Sequence, residues 1–135
     1  MESREQTLRN ALTTKRILIV DDEADMRAFL TEELEEEGYE ITVGKNGLDA
    51  LTEISFNSFD VVITDWKLPL RDGLQVLRTA REICRETPVI LITGFGGAKI
   101  RKKVERTGAF YLQKPFSMKS LKELIRSLLL RAPKH

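Results

Sequence analysis

Oxygen-bearing and cationic side chains follow four of the short apolar runs in this chain. They are two adjacent acids after the first run, one acid after the third, a hydroxyl after the fourth and a lysine after the fifth: Asp21 and Asp22, Asp65, Thr93, and Lys114. Three carboxylates brought together repel one another and need a cation at neutral pH. Oxygen ligands with open positions suit Mg²⁺, which accepts carboxylates, waters and a phosphate. With a lysine and a hydroxyl beside them, the set predicts phosphoryl transfer onto an aspartate.

The stretch FDVVITDWKLPLRDG, residues 59–73, contains the acid at the centre of this set. Its β-branched run Val61–Ile63 is too short for a helix and predicts a strand that is buried on both faces. Pro69 and Asp72 supply turn chemistry after it, and Asp72 is also expected to cap the next helix. Asp65 is therefore expected at the carboxyl end of a strand, which is the edge where open parallel sheets bind ligands.

Five short apolar runs alternate with five stretches of helical periodicity, and no internal repeat interrupts them. This alternation predicts an α/β fold, a single doubly wound (βα)5 domain with a five-stranded parallel sheet and right-handed crossovers. Asn46 is expected to open the second helix, which would turn Leu48, Leu51 and Ile54 inward.

The helical stretch Ala98–Thr107 has an unusually thin apolar stripe. Ile100 and Val104 are its only large apolar residues, so we expect it to be held weakly against the sheet. Its exposed side is expected to be basic and to face either solvent or an acidic protein surface, through Lys99, Arg101, Lys102, Lys103 and Arg106.

Composition limits the classes of function. The 135 residues carry 22 Lys and Arg against 21 Asp and Glu, so the net charge of +1 gives no reason to expect nucleic-acid or membrane binding. No apolar run approaches the roughly 20 residues of a membrane span. Cys84 is the only cysteine and His135 the only histidine, which favours a cytoplasmic protein without disulfides or histidine-based metal sites. We expect a polar extension over residues 1–14, one domain over 15–131 and a tail over 132–135.

The chain from about Lys15 to Arg131 resembles a receiver domain of the two-component response-regulator family, similar to the chemotaxis type and to receivers of enhancer-binding regulators. The resemblance implies a flavodoxin-like sheet with the strand order 2-1-3-4-5. The residues that carry it are Asp21–Asp22, Asp65 with Pro69, Asp72 and Gly73, Thr93, Tyr111, and Lys114–Pro115–Phe116.

The resemblance also implies the metal site. Asp65 would be the phosphorylated residue, and Asp22, Asp65 and the backbone carbonyl of Lys67 would hold Mg²⁺. Asp21 would contact the ion through a water molecule.

Further roles implied by the resemblance concern the phosphoryl group and the switch. Lys114 and Thr93 would contact the phosphoryl group, and the rotamer of Tyr111 would follow Thr93. The peptide bond between Lys114 and Pro115 would be cis.

By the same resemblance, the partners are a sensor histidine kinase or a histidine phosphotransfer protein as donor and an unidentified effector protein as reader. The signalling surface would be formed by the fourth helix, the fifth strand and the fifth helix, with scope for a phosphorylation-dependent homodimer. The chain would catalyse at most its own phosphorylation and dephosphorylation.

Two departures from the family pattern stand out. Gly108–Ala109 is followed by Phe110 alone before Tyr111, so one residue is missing and the geometry of the fourth helix is uncertain from sequence. No effector domain follows within the 135 residues, which suggests a free-standing regulator or an excised receiver.

Two other functions remain open at this point. A receiver-like module could bind partners without phosphorylation. An aspartate-nucleophile phosphohydrolase would need a second acid two residues after Asp65, where this chain has Lys67. A nucleotide- or flavin-binding domain is disfavoured, because Asp21–Asp22–Glu23 replaces the glycine-rich loop after the first strand.

Overall fold

The computed structural model describes residues 14–69, 73–94 and 98–131. Within these ranges five strands alternate with five helices. The strands are β1 (Arg16–Val20), β2 (Glu40–Gly44), β3 (Val61–Asp65), β4 (Val89–Thr93) and β5 (Phe110–Gln113). The helices are α1 (Ala24–Glu35), α2 (Gly47–Phe56), α3 (Gly73–Ile83), α4 (Ala98–Arg106) and α5 (Met118–Leu129). The expected extension up to residue 13, the tail 132–135 and the Asp72 cap lie outside the described residues.

All four strand pairings are parallel, and the strand order is 2-1-3-4-5. The predicted fold class is therefore confirmed. Strands β3 and β4 are buried along their whole length, as expected for apolar runs that are covered on both faces.

The core consists of two layers, one on each face of the sheet, because neighbouring residues of a strand point to opposite faces. Ile17, Ile19 and Ile63 lie in the layer covered by α1 and α5. Leu18 and Val62 lie in the layer covered by α2, α3 and α4. The helices thus cover both faces and leave the carboxyl edge of the sheet accessible.

The strand register brings the chemically active residues to this one edge. Val20 is paired with Thr64, so the acids that follow β1 lie beside the end of β3. Asp65 is paired with Ile92, which places Thr93 at the next strand end.

Helix α2 differs from the expectation in its rotation about its axis. Asn46 caps the helix as predicted, because its Oδ1 atom accepts the backbone N–H of Asp49 at 2.8 Å. The inward residues, however, are Gly47, Ala50 and Ile54, whereas Leu48 is 49% exposed. The small Gly47 and Ala50 let the helix approach the sheet closely, and this spacing turns Leu48 toward solvent. The prediction that Leu48 faces inward was wrong.

The connection from α4 to β5 is short but regular. Gly108 adopts a left-handed φ of +84° after the helix, a conformation that costs glycine little. The Arg81 guanidinium donates to the carbonyl of Thr107 at 3.3 Å and so ties this turn to α3. Phe110 pairs in register with Ile90, so the missing residue is accommodated within the turn without disturbing β5.

None of the helices within the described ranges combines the length and the apolar character that a membrane span requires.

Candidate functional site

Asp65 ends strand β3 and is only 8% exposed. The N–H of the next residue, Trp66, still donates to the carbonyl of Ile92 at 2.9 Å, and the backbone then bends at Trp66 and Lys67. The N–H of Lys67 donates to Asp65 Oδ1 at 3.3 Å. The carboxylate therefore lies at the sheet edge, held by the loop that follows it.

Gly73 closes that loop by a very close backbone approach. Its N–H donates to the carbonyl of Trp66 at 2.8 Å. A Cβ atom at this position would lie 2.5 Å from the carbonyl oxygen of Asp65 and 2.7 Å from the Cα of Trp66. Both are backbone atoms that cannot rotate away, so the path of the loop beside Asp65 requires glycine.

Asp21 is held by its own turn after β1. Its Oδ1 atom accepts the N–H of Glu23 at 2.8 Å, and its N–H donates to the carbonyl of Gly44 at 3.2 Å. Arg27, in the first turn of α1, donates to the carbonyl of Asp21 at 2.7 Å. These bonds fix a carboxyl group that is only 4% exposed.

Asp22 completes a cluster with Asp21 and Asp65. One carboxylate oxygen of each residue lies within 4.8 Å of the others, and Asp22 is the exposed member. The expectation that these three acids come together is thus met by their positions.

Lys114 provides the positive charge of the site. Its Nζ atom lies 3.0 Å from Asp65 Oδ2 and 3.6 Å from Asp21 Oδ2. Its backbone N–H donates to the carbonyl of Thr93 at 2.8 Å, and the peptide bond to Pro115 is cis. Burial alone would lower the pKa of Lys114, but the hydrogen bond that its ammonium donates to Asp65 and the charges of Asp65 and Asp21 outweigh burial and raise the pKa.

The pKa of Asp21 is raised, and the main cause is burial, which disfavours the charged carboxylate. The Glu23 N–H and the Lys114 charge act in the opposite direction, while the negative charge of Asp65 adds to the rise. The folded protein therefore holds a buried carboxylate here at a cost that a bound cation would relieve.

Thr93 and Tyr111 share one face of the sheet. Thr93 ends β4 and is fully buried. Tyr111 is paired with Leu91, two residues before Thr93, so both side chains point to the face covered by α4. The Arg101 guanidinium of α4 lies 5.7 Å from the centre of the Tyr111 ring. The buried Tyr111 hydroxyl has no hydrogen-bond partner within the described ranges.

A cleft of about 560 Å³ opens at the carboxyl edge of the sheet, beside Asp65. Lys67, Asp22, Asp65 and Lys114 line it together with residues that the sequence analysis did not assign to the site: Glu23, Leu68, Pro69 and Gly94. Their position in the sequence just after the predicted strands could have indicated that they line the cleft, because residues that follow a strand border the carboxyl edge of the sheet.

The donor set fits Mg²⁺. All three acids offer hard oxygen ligands, and the exposure of Asp22 leaves room for waters or a phosphate oxygen. The cost of ionising Asp21 supplies the electrostatic reason for a cation. Lys67 lines the same cleft, which places it near the cluster.

Known proteins similar to this chain share the fold. A family model described as "Response regulator receiver domain" matches residues 17–126. CpdR of Brucella abortus is 34% identical over 119 residues, which cover 87% of this chain and 99% of that protein. The transcriptional regulatory protein PcoR of Escherichia coli is 39% identical, and the match covers 87% of this chain but 53% of PcoR.

Among solved structures, TrrA of Thermotoga maritima in complex with Mg²⁺–BeF has 38% identity and a TM-score of 0.78, covering 86% of this chain and all of that one. The chain spans about half the length of PcoR and nearly the whole of CpdR. Since the family model matches most of the chain and the relatives match over the same region, the protein belongs to the receiver domain family of two-component response regulators.

Proposed function

We propose that this receiver domain is a phosphorylation switch whose acceptor is Asp65. The observation that carries this proposal is the bond of 3.0 Å between Lys114 Nζ and Asp65 Oδ2 within a cluster of three carboxylates. This arrangement holds a carboxylate oxygen at the edge of the cleft with a lysine ammonium beside it. A carboxylate nucleophile with such neighbours is suited to accept a phosphoryl group.

The donor is a phosphohistidine on a sensor kinase or phosphotransfer protein. One Asp65 oxygen attacks the phosphorus, a P–O bond forms and the P–N bond breaks. The histidine nitrogen leaves with the bonding electron pair and takes a proton from solvent, which restores the neutral imidazole. Lys114 then turns from Asp65 to a phosphoryl oxygen, and the Thr93 hydroxyl donates to another.

Mg²⁺ would be held by Asp22, Asp65 and the backbone carbonyl of Lys67, with Asp21 contacting it through water. When bound, the ion offsets the negative charge of the carboxylates and of the phosphoryl oxygens. Asp21, fixed by the Glu23 N–H, keeps its charge close to the ion without moving. The structure of TrrA, a similar chain, in complex with Mg²⁺–BeF supports Mg²⁺ as the ion bound at this site.

The output lies on the face formed by α4, β5 and α5. Phosphorylation adds a charge of about −1.5 to −2 and strong acceptors at Asp65. Thr93 moves toward the new group, Tyr111 turns into the space it leaves, and the Arg101 contact carries the change to α4. An effector protein in the cytoplasm, or a second copy in a phosphorylation-dependent homodimer, reads the altered face. The chain catalyses no reaction beyond its own phosphorylation and dephosphorylation.

The test is the intact mass of the protein after exposure to a small acyl phosphate and Mg²⁺. We expect one added phosphoryl group in the wild type and in Asp25→Ala, an exposed acid outside the cluster. We expect none in Asp65→Ala or in excess chelator.

A mass shift that persists in Asp65→Ala would refute this acceptor. If folded wild-type protein gains no phosphoryl group from either an acyl phosphate or a phosphorylated histidine kinase, the chain is instead a phosphorylation-independent interaction module.

A further inference from the structure

Four cations form one continuous stripe on the outer side of α4. Lys99, Lys102, Lys103 and Arg106 follow the spacing i, i+3, i+4, i+7, so they share one side of the helix, and all four are exposed. We call this stripe the basic face. None of the four forms an ion pair with a described residue. Glu105, the acid of this helix, is bound to Arg101 at 3.2 Å, so the basic face keeps its full charge.

A groove of opposite charge lies between α1 and the edge strand β2. Three exposed glutamates, Glu32, Glu35 and Glu36, line one wall, and Ile41 and Val43 of β2 form an apolar floor. We call this site the acidic groove; its volume is about 810 Å³.

The glutamates of the acidic groove lack the partners that their neighbours have. Glu33 and Glu37 pair with Lys122 of α5, but no described cation pairs with the three groove acids. Arg27, which also lines the groove, donates to the carbonyl of Asp21.

The position of these three glutamates on α1 makes the absence of a cationic partner costly. They occupy the C-terminal end of the helix, where the helix dipole is itself negative, and the last turn contains no basic residue. A cation supplied from outside the molecule would therefore be stabilised by the three carboxylates and by the helix end together.

The two surfaces cannot meet within one molecule. Helix α4 leads into β5 and α1 leads into β2, and these two strands are the opposite edges of the sheet. The helices also cover opposite faces, since Val104 of α4 and Leu30 of α1 belong to different core layers. Between two copies, however, both surfaces are accessible at once.

We propose that the basic face of α4 docks into the acidic groove of a second copy of this chain. The spacing i, i+3, i+4 of the cations matches that of Glu32, Glu35 and Glu36, so several pairs form along one helix–helix contact. The aliphatic stems of the lysines cover Ile41 and Val43. The contact is head-to-tail, because it joins two different surfaces, and its repetition from copy to copy builds chains or closed rings of molecules.

Direct contact between two basic faces is disfavoured by their like charge. The head-to-tail contact also lies outside the Asp65 cleft, so it exists without phosphorylation. Asp65→Ala protein should associate to the same degree as the wild type, which separates this proposal from the phosphoryl-acceptor function.

The test uses two charge-reversed proteins in sedimentation velocity. The first is Lys99→Glu/Lys102→Glu/Arg106→Glu, and the second is Glu32→Lys/Glu35→Lys/Glu36→Lys. Each variant opposes like charges at the contact, and its dissociation constant for self-association should rise by at least about tenfold. An equimolar mixture restores opposite charges across both contacts and should associate again.

Wild-type protein should associate as its concentration is raised to about 1 mM at an ionic strength near 0.05 M. It should dissociate when the ionic strength is raised to about 0.5 M. The matched control is Glu82→Lys/Glu86→Lys/Glu123→Lys, which changes the net charge as much as the second variant at exposed positions on other surfaces. It should associate like the wild type.

Three results would overturn the proposal. The wild type could remain monomeric throughout, or the mixture of the two variants could fail to associate. A wild type that binds a random-sequence oligonucleotide through the same lysines, with no self-association, would show that the basic face is a nucleic-acid surface instead.

Discussion

The Nζ atom of Lys114 lies 3.0 Å from the Oδ2 atom of Asp65, at the ends of two strands that are not neighbours in the sheet. The hydrogen bond from the Lys114 N–H to the Thr93 carbonyl holds the lysine backbone beside β4, from where its side chain reaches across to β3. Lys114 therefore partly neutralises the carboxylates that a metal ion would also neutralise.

Replacement of Lys114 by methionine should tighten Mg²⁺ binding while it impairs phosphorylation. The lysine repels the ion and competes for Asp65, so its loss should lower the Mg²⁺ dissociation constant about fivefold, or roughly 1 kcal/mol. Trp66, the only tryptophan and the neighbour of Asp65, provides a fluorescence readout for the titration. Lys119→Met, an exposed lysine of α5, is the control and should bind Mg²⁺ like the wild type. Weaker Mg²⁺ binding in Lys114→Met would contradict this view of the lysine.

Asp21→Asn should stabilise the metal-free protein at neutral pH. The pKa of Asp21 is raised above its ordinary value of 3.8 mainly by burial, so the folded state binds more protons than the unfolded state just above that value. Stability therefore falls as the pH rises through this window, and the loss persists at higher pH. Asparagine avoids the loss and can still accept the Glu23 N–H, so we expect a gain of about 0.5–2 kcal/mol at pH 7.

Urea unfolding in excess chelator measures this difference, which should shrink as the pH approaches 3.8. Saturating Mg²⁺ should narrow or reverse this difference in stability, because the ion binds the wild-type site more tightly than the Asp21→Asn site and so stabilises the wild type more. Asp25→Asn, an exposed acid of α1, should show no such pH dependence. A wild type more stable than Asp21→Asn in chelator at pH 7 would show that the carboxylate is stabilising without metal.

Gly73→Ala should destabilise the fold and distort the loop beside Asp65. The new methyl group would lie 2.5 Å from the Asp65 carbonyl oxygen, and only a backbone shift could relieve the clash. We expect a loss of about 1–3 kcal/mol in the free energy of unfolding, together with weaker Mg²⁺ binding. Gly94→Ala is the matched control at the same cleft, since its Cβ would find Lys114 Cβ at 4.0 Å, an ordinary contact. Equal effects of the two substitutions would refute the steric argument.

The order of the elements and the convergence of the acids could be predicted from sequence because both follow from periodicity and sheet topology. An apolar run such as Val61–Ile63 is expected in the interior of a parallel sheet, where both faces are covered, and its register with β1 and β4 brings Asp65 close to Asp21. The five-strand parallel order was implied by the resemblance and is confirmed.

Details that depend on three-dimensional packing were not accessible in this way. Leu48 and Ile54 are both apolar residues of one helix, and only the close approach of Gly47 and Ala50 decides which of them is buried. Likewise, the bond from Arg27 to the Asp21 carbonyl joins two residues through the turn that precedes α1, and the charge pattern alone does not specify it.

Helix α4 should open more readily than α5 because it has fewer buried anchors. Val104 is its one buried residue, with Ile100 half-buried, whereas α5 buries Leu121, Ile125 and Leu128. Each additional buried aliphatic side chain contributes about 1.5–3 kcal/mol, so the deficit of two corresponds to a difference of at least about a hundredfold in opening equilibrium.

Hydrogen exchange resolved by peptide or residue measures this difference directly. Amides of residues 99–106 should exchange at least about a hundredfold faster than those of residues 121–128. Helix α3 is the internal control, because it buries Val76, Leu77 and Ala80 and should be protected like α5. When a helix opens this easily, a change of a few kcal/mol at the Asp65 site is enough to shift the equilibrium between its conformations, as a switch element requires. Equal protection of α4 and α5, with and without phosphorylation, would remove α4 from that role.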